Sequence, residues 1–230
     1  MYQRDYLMQQ IEQAGRALGV IIRTALGGDP NRALVMFDQA YQPLLGISSR
    51  VVSTLTDEQL VSLLTSGSSP DLRRVASVLQ VVKAEGDVHD LRGDAHTAAA
   101  RYRRALSLAA WLASHSDGQL DDQLAADLVK RAGGLALSSE QRLALARVLE
   151  AQGRYADAED ALFEVIEAEP DDPGPIDAGI LFYQRLLARD DGDLEAGDLP
   201  RDEVKDGIAE LLRRQVPEEP VTWEDDVQPS

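Results

Sequence analysis

The sequence predicts an all-α protein made of antiparallel helical hairpins. Apolar residues recur every three or four positions along most of the chain, which is the spacing of one helix face. Alanine and leucine dominate these apolar residues, and aromatic residues make up only 5% of the 230 positions. Sheets prefer β-branched and aromatic side chains, and no segment alternates apolar and polar residues at period two. All three observations favour helices over strands.

Helix start and stop signals divide the N-terminal part of the chain. An apolar stripe predicts a first helix from Tyr6 to Leu26, and the two glycines that follow end it. Asp29 and Pro30 then provide an N-cap and a proline at the first helical position, both typical of a helix start. This second helix is expected to stop near Pro43 or Gly46.

The middle of the chain contains two further predicted helices. Thr56 and Gln59 form a capping-box pattern, so a short helix starts there and runs to about Leu64. Pro70 marks the first position of a long helix, which Gly86 is expected to interrupt. A glycine inside a helix costs about 1 kcal/mol relative to alanine. We therefore expect close packing at Gly86 that requires its small size.

The remaining predicted helices fill the C-terminal half. Ser138 and Gln141 repeat the capping-box pattern before one of them. The acidic stretch DDGDLEAGD, at 190–198, is expected to be a solvated linker because of its polar composition. We expect one helical domain over 1–215, followed by an acidic, proline-rich tail at 216–230 that is disordered or loosely docked. The later helices are predicted at 95–113, 119–132, 140–152, 155–168, 176–189 and 202–215.

The negative charge is confined to the last third of the chain. The formal net charge is −17, yet residues 1–155 contain 17 basic and 17 acidic residues. Residues 156–230 contain 6 basic and 23 acidic residues. A negative field repels nucleic-acid phosphates and anionic lipid head groups, so we expect neither nucleic acid nor membrane as a partner. The excess charge either solubilises the protein or presents a docking surface for a basic partner.

Composition also limits where in the cell the protein is expected and which covalent links it can form. The chain contains no cysteine, which excludes disulfides and thiolate metal sites. No stretch approaches eighteen uninterrupted apolar residues, and the N-terminal sequence lacks the apolar core of a signal peptide. We therefore expect a cytoplasmic protein.

A spacing motif points to a helical repeat. Small residues let two antiparallel helices approach each other, a larger residue fills the space between them, and a turn glycine precedes the second helix. The most complete copy comprises Gly153, Tyr155, Ala158, Leu162, Val165 and a closing Pro170. Two fainter copies comprise Gly93, Ala98, Tyr102 and Ala105, and Gly28, Ala33, Phe37 and Ala40.

These spacings resemble the tetratricopeptide repeat, a helix-turn-helix unit of about 34 residues. The resemblance covers roughly 4–189. The turn glycines are 65 and 60 positions apart, so the repeats are irregular, and Arg142 stands where the repeat usually has tryptophan. The opening QRDYLMQQIEQAGRAL also resembles the start of an uncharacterised bacterial family of tetratricopeptide-like helical proteins.

The resemblance implies protein interaction, because the first helices of tetratricopeptide hairpins usually line a concave surface that grips a peptide. We expect a noncatalytic scaffold or adaptor that binds a peptide or protein partner. The lysine-asparagine clamp with which some members grip a chain terminus is absent. Carried over by position, the expected partner-binding residues are Leu18 and Ile22 in the first hairpin, Lys83 and Asp87 in the middle one, and Leu143 and Arg147 in the last.

No local motif predicts catalysis, a metal or a cofactor. His89 and His96 are seven positions apart, but Gly93 breaks the helix between them, so they need not share a face. The stretch at 190–198 lacks the spacing of a calcium loop. Two alternatives to a scaffold stay open: a structural protein that self-assembles, as a homodimer, through its apolar N-terminal helix, and an all-helical enzyme or ligand sensor whose site leaves no motif.

Overall fold

The computed structural model describes residues 2–65, 70–115 and 120–215, with side chains from residue 5 onward. These residues form helices and turns and contain no β-strand, which confirms the all-α prediction. The tail predicted at 216–230 lies outside the described residues. The helices are α1 (Tyr2–Leu26), α2 (Pro30–Val35), α3 (Asp38–Leu45), α4 (Ser49–Val52), α5 (Asp57–Thr65), α6 (Leu72–Leu91), α7 (Ala95–His115), α8 (Asp122–Ala132), α9 (Ser139–Ala151), α10 (Tyr155–Ala168), α11 (Pro173–Leu187), α12 (Asp191–Ala196) and α13 (Arg201–Gln215).

The N-terminal helices follow the sequence signals, except that one predicted helix divides in two and the short α4 was not predicted. The Asp29 carboxylate accepts a hydrogen bond from the Arg32 backbone N–H at 3.0 Å, as expected of the N-cap of α2. The predicted second helix divides at Phe37 into α2 and α3, and Pro43 lies inside α3. Gly46 ends α3 with φ of 71°, a left-handed conformation that favours glycine.

Helices α6 and α7 form an antiparallel hairpin around a turn at Gly93, whose φ is 82°. The pairing is shown by Glu85, which forms an ion pair with Arg101, and by Gly86, which lies against Tyr102. Helix α6 begins at Leu72 after an Asp71 cap, so Pro70 precedes the helix. The interruption expected at Gly86 was wrong, because α6 is continuous there; the expected close packing is present.

Helices α9 and α10 form a second hairpin around Gly153, whose φ is 72°. Ser138 and Gln141 form the capping box that the sequence predicted at the start of α9. Ala158 on α10 is fully buried, and Ala98 on α7 is 2% exposed. The small residues of both motif copies therefore lie at helix contacts.

The acidic stretch at 190–198 is ordered, so the expected solvated linker was wrong. Most of it forms α12, and its Leu194 is fully buried with Leu199 just beyond it. The Gly197 carbonyl accepts a hydrogen bond from the Ala156 backbone N–H at 3.1 Å. Two leucines thus fix a segment whose overall composition is polar, because they are buried while its carboxylates stay exposed to solvent.

The buried apolar residues form two neighbouring clusters. The first spans α1 to α9, from Ala14 to Val148, and the second spans α9 to α13, from Ala146 to Leu211. The partly buried Leu145 packs against both. Helix α9 therefore lies where the two clusters meet. Within the described ranges, no helix is both long enough and apolar enough to cross a membrane.

The contact between Gly86 and Tyr102 gives a stability test. A Cβ at residue 86 would lie 2.7 Å from Tyr102 Cε1 and 3.2 Å from Arg101 Cβ. We expect Gly86→Ala to lower the free energy of unfolding by up to about 2 kcal/mol, because overpacking costs about 1–3 kcal/mol and the gain in helix propensity of about 1 kcal/mol offsets only part of it. Urea unfolding followed by circular dichroism measures the change.

Gly15→Ala is the matched control. Gly15 also lies inside a helix, but a Cβ there would meet no atom within 4 Å. We expect this variant to be as stable as the wild type or more stable, by up to about 1 kcal/mol. A Gly86→Ala variant stabilised to the same degree would show that the Gly86–Tyr102 contact does not constrain the hairpin.

Candidate functional site

The structure separates the residue pairs to which the sequence assigned partner binding. Leu18 and Ile22 lie on α1, where Leu18 packs against the first cluster and Ile22 is 40% exposed. Leu143 and Arg147 lie on α9 and border a cavity lined by residues of the C-terminal half. The pairs therefore do not form one continuous site.

Lys83 and Asp87 belong to an ionic network that joins α6, α7 and α8. Lys83 Nζ lies 2.9 Å from Asp87 Oδ2 and also pairs with Asp127 on α8. Arg131 pairs with Asp87, and its guanidinium lies 4.5 Å from the centroid of the Tyr102 ring. Burial opposes the charged ammonium, but hydrogen bonds to Asp127 and Asp87 outweigh it and raise the pKa of Lys83. Both residues are engaged within the fold.

Arg147 lines a cleft of about 740 Å³, the arginine cleft. The C-terminal ends of α7, α9 and α11 form it, together with the start of α10 and part of α12. The charged and aromatic side chains relevant to its chemistry are Arg147 and Glu150 from α9, Tyr155 from α10, Arg185 from the end of α11, Arg189 from the turn that follows it, and Asp193 from α12.

Glu150 organises the arginine cleft. It is 7% exposed, and it accepts two hydrogen bonds from Arg185, from Nε at 2.7 Å and from Nη2 at 2.8 Å. Arg147 donates to the same carboxylate from Nη1 at 2.5 Å and to Ser114 Oγ from Nε at 3.2 Å. Two guanidinium groups from different helices are thereby held side by side, with part of their N–H donors unused.

Arg189 is the third guanidinium of the arginine cleft, and it is exposed. It forms no ion pair with any residue that the structure describes. Its charge acts on the Tyr155 ring, where burial raises the pKa of the hydroxyl and Arg189 lowers it, while Asp193 and Glu150 raise it further. Arg189, Asp193 and Glu150 therefore all act on one tyrosine of the arginine cleft.

A small apolar pocket of about 70 Å³ adjoins the arginine cleft. It shares Arg147, Glu150 and Arg185 with the cleft, so the paired guanidinium groups separate an ionic compartment from an apolar one. The apolar compartment is lined by Leu143, Ala146, Leu162, Ala178 and Phe182. Leu143 and Arg147, predicted together, thus lie at one site.

Sequence analysis missed Glu150 as the organising residue and missed Arg185 and Arg189 altogether. Arg185 and Arg189 come from the region after residue 155, whose net charge is strongly negative, so its composition concealed a local cluster of arginines. The available signal was that Arg185 and Arg189 stand four positions apart at the end of the helix predicted at 176–189, although α11 itself ends at Leu187. Their approach to Arg147 depends on contacts between helices that lie far apart in the chain.

The histidine pair does not form a shared site. His89 is 9% exposed, and its Nδ1 lies 3.2 Å from Asp94 Oδ2, whereas His96 is exposed. Burial lowers the pKa of His89, and Glu85 and Asp94 act in the opposite direction. No cluster of histidine and carboxylate side chains in the described part of the chain is arranged to hold a metal ion.

An acidic groove of about 490 Å³ runs between α10 and α13. Glu159 and Tyr183 share a hydrogen bond at its base, and burial raises the pKa of both side chains. Three carboxylates of α13 line the same groove: Glu203, Asp206 and Glu210. This groove contains part of the charge that the sequence suggested for a basic partner.

Comparison with protein-family models matches residues 1–216 to a family of unknown function, DUF6483. No curated protein and no solved structure matches the chain significantly. The function of the arginine cleft must therefore be argued from its own residues.

The Glu150 ion pairs give a second stability test. Glu150→Gln leaves Arg147 and Arg185 without a buried counter-charge, so we expect a loss of about 1–3 kcal/mol in the free energy of unfolding. The arginines are 27% and 38% exposed, which keeps the loss below that of a fully buried pair. Glu167→Gln, on the exposed face of α10, should change stability by less than about 0.5 kcal/mol. Equal effects of the two changes would contradict the organising role of Glu150.

Proposed function

The chain belongs to the DUF6483 family, which has no assigned function, and we propose that it is a noncatalytic protein-interaction module. In this proposal the arginine cleft and the adjoining apolar pocket bind a segment of a peptide or protein partner. The observation that carries the proposal is the convergence of three helix ends on one open cleft with preoriented donors.

The dimensions and the lining of the site support this proposal. A volume of about 740 Å³ falls within the range of ~300–1,000 Å³ that is common for ligand sites. A partner residue would find polar groups fixed by Glu150 and an apolar compartment beside them. Fixed groups lose little side-chain entropy on binding, which favours affinity.

The tetratricopeptide-like arrangement is part of the proposal. Two hairpins with left-handed turn glycines, α6–α7 and α9–α10, are consistent with it. The resemblance assigns Leu143 and Arg147 to a concave surface, and both border the proposed site. Because Lys83 and Asp87 pair with residues of α8, we confine the partner site to the C-terminal half.

We propose no catalytic role for the arginine cleft. A general base must accept a substrate proton within hydrogen-bond reach. Both oxygens of Glu150, the buried carboxylate of the cleft, accept hydrogen bonds from arginine, so the carboxylate is held between two positive charges. Its geometry suits a fixed counter-charge better than proton transfer.

A steric block tests the interaction site. Ala151 is exposed and lines the arginine cleft, whereas Ala126 is an exposed alanine of α8 outside it. We expect Ala151→Trp to lose a partner that both the wild type and Ala126→Trp retain in affinity purification from host cells. The retained protein is then purified, and its direct binding is measured by calorimetry. We expect Ala151→Trp to bind it at least about tenfold more weakly.

Two results would contradict the proposed function. Either no retained protein binds the purified wild type directly, or the purified partner binds Ala151→Trp and Ala126→Trp equally well. Circular dichroism of both variants checks that the added tryptophan leaves the helices intact.

Self-association through α1 is the second candidate, and exposed apolar side chains support it. Met8, Ile22 and Leu26 are 38%, 40% and 70% exposed. At 100° per residue they lie on one side of the helix, beside Gly15. An apolar stripe of this kind often marks an interface.

This candidate predicts the mass in solution. The chain has a mass of 25.1 kDa, so self-association should give about twice this value by light scattering at micromolar concentration, also at high salt, since apolar contacts persist there. Ile22→Lys with Leu26→Lys should then restore the monomer. A wild-type mass of one chain under these conditions would refute stable self-association through α1.

A further inference from the structure

The arginine cleft carries a surplus of positive charge. Its guanidinium groups come from Arg147, Arg185 and Arg189, and its carboxylates from Glu150 and Asp193. Glu150 serves two of the arginines, and Arg189 forms no ion pair with the described residues. The formal surplus is about one positive charge, opposite in sign to the C-terminal third as a whole. A ligand with a single negative charge balances it.

Guanidinium geometry favours a carboxylate as that charge. The planar fork of arginine forms two parallel hydrogen bonds with a carboxylate. Arg185 uses Nε and Nη2 for Glu150, and Arg147 uses Nε and Nη1 for Ser114 and Glu150. Their remaining N–H groups, and all those of Arg189, are available to a ligand oxygen.

The apolar pocket favours a ligand that also carries an apolar group. Its volume of about 70 Å³ suits a small aliphatic side chain. The pocket and the arginine cleft share Arg147 and Arg185, so an apolar group in the pocket lies beside the guanidinium groups. Inorganic phosphate or a nucleotide has no aliphatic group to place there.

The adjacency of the apolar pocket and the arginine cleft indicates where the carboxylate lies along the ligand. Arg189 lies two residues beyond the end of α11 and lines the arginine cleft but not the apolar pocket. Alternate residues of an extended peptide are ~7 Å apart. An aliphatic residue in the pocket therefore places a residue one or two positions away in the arginine cleft, where Arg189 provides the unpaired charge.

From these observations we propose that the site binds an extended acidic peptide segment in which an aliphatic residue lies within two positions of an aspartate or glutamate. This inference rests on the proposed function and names the chemistry of its partner. Arg189 provides the charge that selects the acidic side chain, and the apolar pocket selects its aliphatic neighbour.

Short peptides test this chemistry directly. The principal probe is the pentapeptide Gly-Leu-Gly-Glu-Gly, acetylated and amidated so that the glutamate carries its only charge. Two matched probes replace Glu by Gln and Leu by Gly, and a fourth, acetyl-Gly-Gly-Leu, carries its carboxylate at the chain end. Each is titrated to about 5 mM into the ¹⁵N-labelled full chain, and the arginine Nε–H resonances are followed.

We expect the principal peptide to shift the resonances of Arg147, Arg185 and Arg189. The Gln and Gly probes should bind at least about tenfold more weakly, which corresponds to ~1.4 kcal/mol each. Arg189→Gln should weaken the principal peptide by a similar factor. Arg213→Gln is the control, since Arg213 is an exposed arginine of α13 that does not line the arginine cleft.

Several outcomes would overturn the inference. If the Glu and Gln peptides bound equally well, the site would not recognise a carboxylate. If the peptides with Leu and with Gly bound equally well, the pocket would not recognise an aliphatic side chain. Tighter binding of acetyl-Gly-Gly-Leu would assign the site to a chain end. Shifts produced equally by inorganic phosphate would indicate a general anion site.

Absence of any shift in the arginine resonances would also overturn the inference. The proposed function would still hold if Ala151→Trp weakened the binding of a purified partner. If Ala151→Trp bound the principal peptide as tightly as the wild type does, both the acidic-peptide inference and the proposed function of the arginine cleft would be contradicted.

Discussion

The Glu150 carboxylate is the interaction on which the candidate site depends. It joins α9 to α11 through Arg185 and fixes Arg147 on its own helix. Removing a carboxylate from water is costly, and only several strong hydrogen bonds offset this cost. The Glu150 ion pairs contribute more to the geometry of the site than to stability, because they hold together two guanidinium groups that would otherwise repel each other. Without Glu150 the ionic and apolar compartments would have no common wall.

A similar arrangement lies in the first core cluster. Glu85 on α6 is buried, accepts a hydrogen bond from Tyr41 on α3 at 2.7 Å, and pairs with Arg101 on α7. Burial, followed by the charge of Glu85, raises the pKa of Tyr41. In both places a buried glutamate joins helices that are not all neighbours in the chain. The two glutamates differ in whether a ligand can approach them: the Glu85 network is covered by helices, whereas Glu150 borders an open cleft.

Glycines facing tyrosines provide a second constraint. Tyr102 lies on Gly86, Tyr155 on Gly197 and Tyr183 on Gly207, each pair joining two segments of the chain, and a Cβ on any of these glycines would collide with the ring. The rings contact the glycines where a side chain would otherwise stand, so the segments approach closely while the hydroxyl groups of Tyr102 and Tyr183 reach Asp87 and Glu159. Close approach of α10, α12 and the end of α11 is also what brings Tyr155 and Arg189 to one cleft.

The sequence by itself determined the helical class, the caps at Asp29, Thr56 and Ser138, and the buried small residues at Ala98 and Ala158. These features depend on neighbours within about one helical turn, so spacing and residue type suffice. Tertiary structure alone decided that Gly86 continues its helix, that 190–198 is ordered, and that Arg185 and Arg189 meet Arg147. Each of these depends on atoms distant in the chain: the Tyr102 ring, the core around Leu194, and the Glu150 carboxylate. The charge of a segment is additive along the sequence, but the charge of a cleft depends on which side chains the packing brings together.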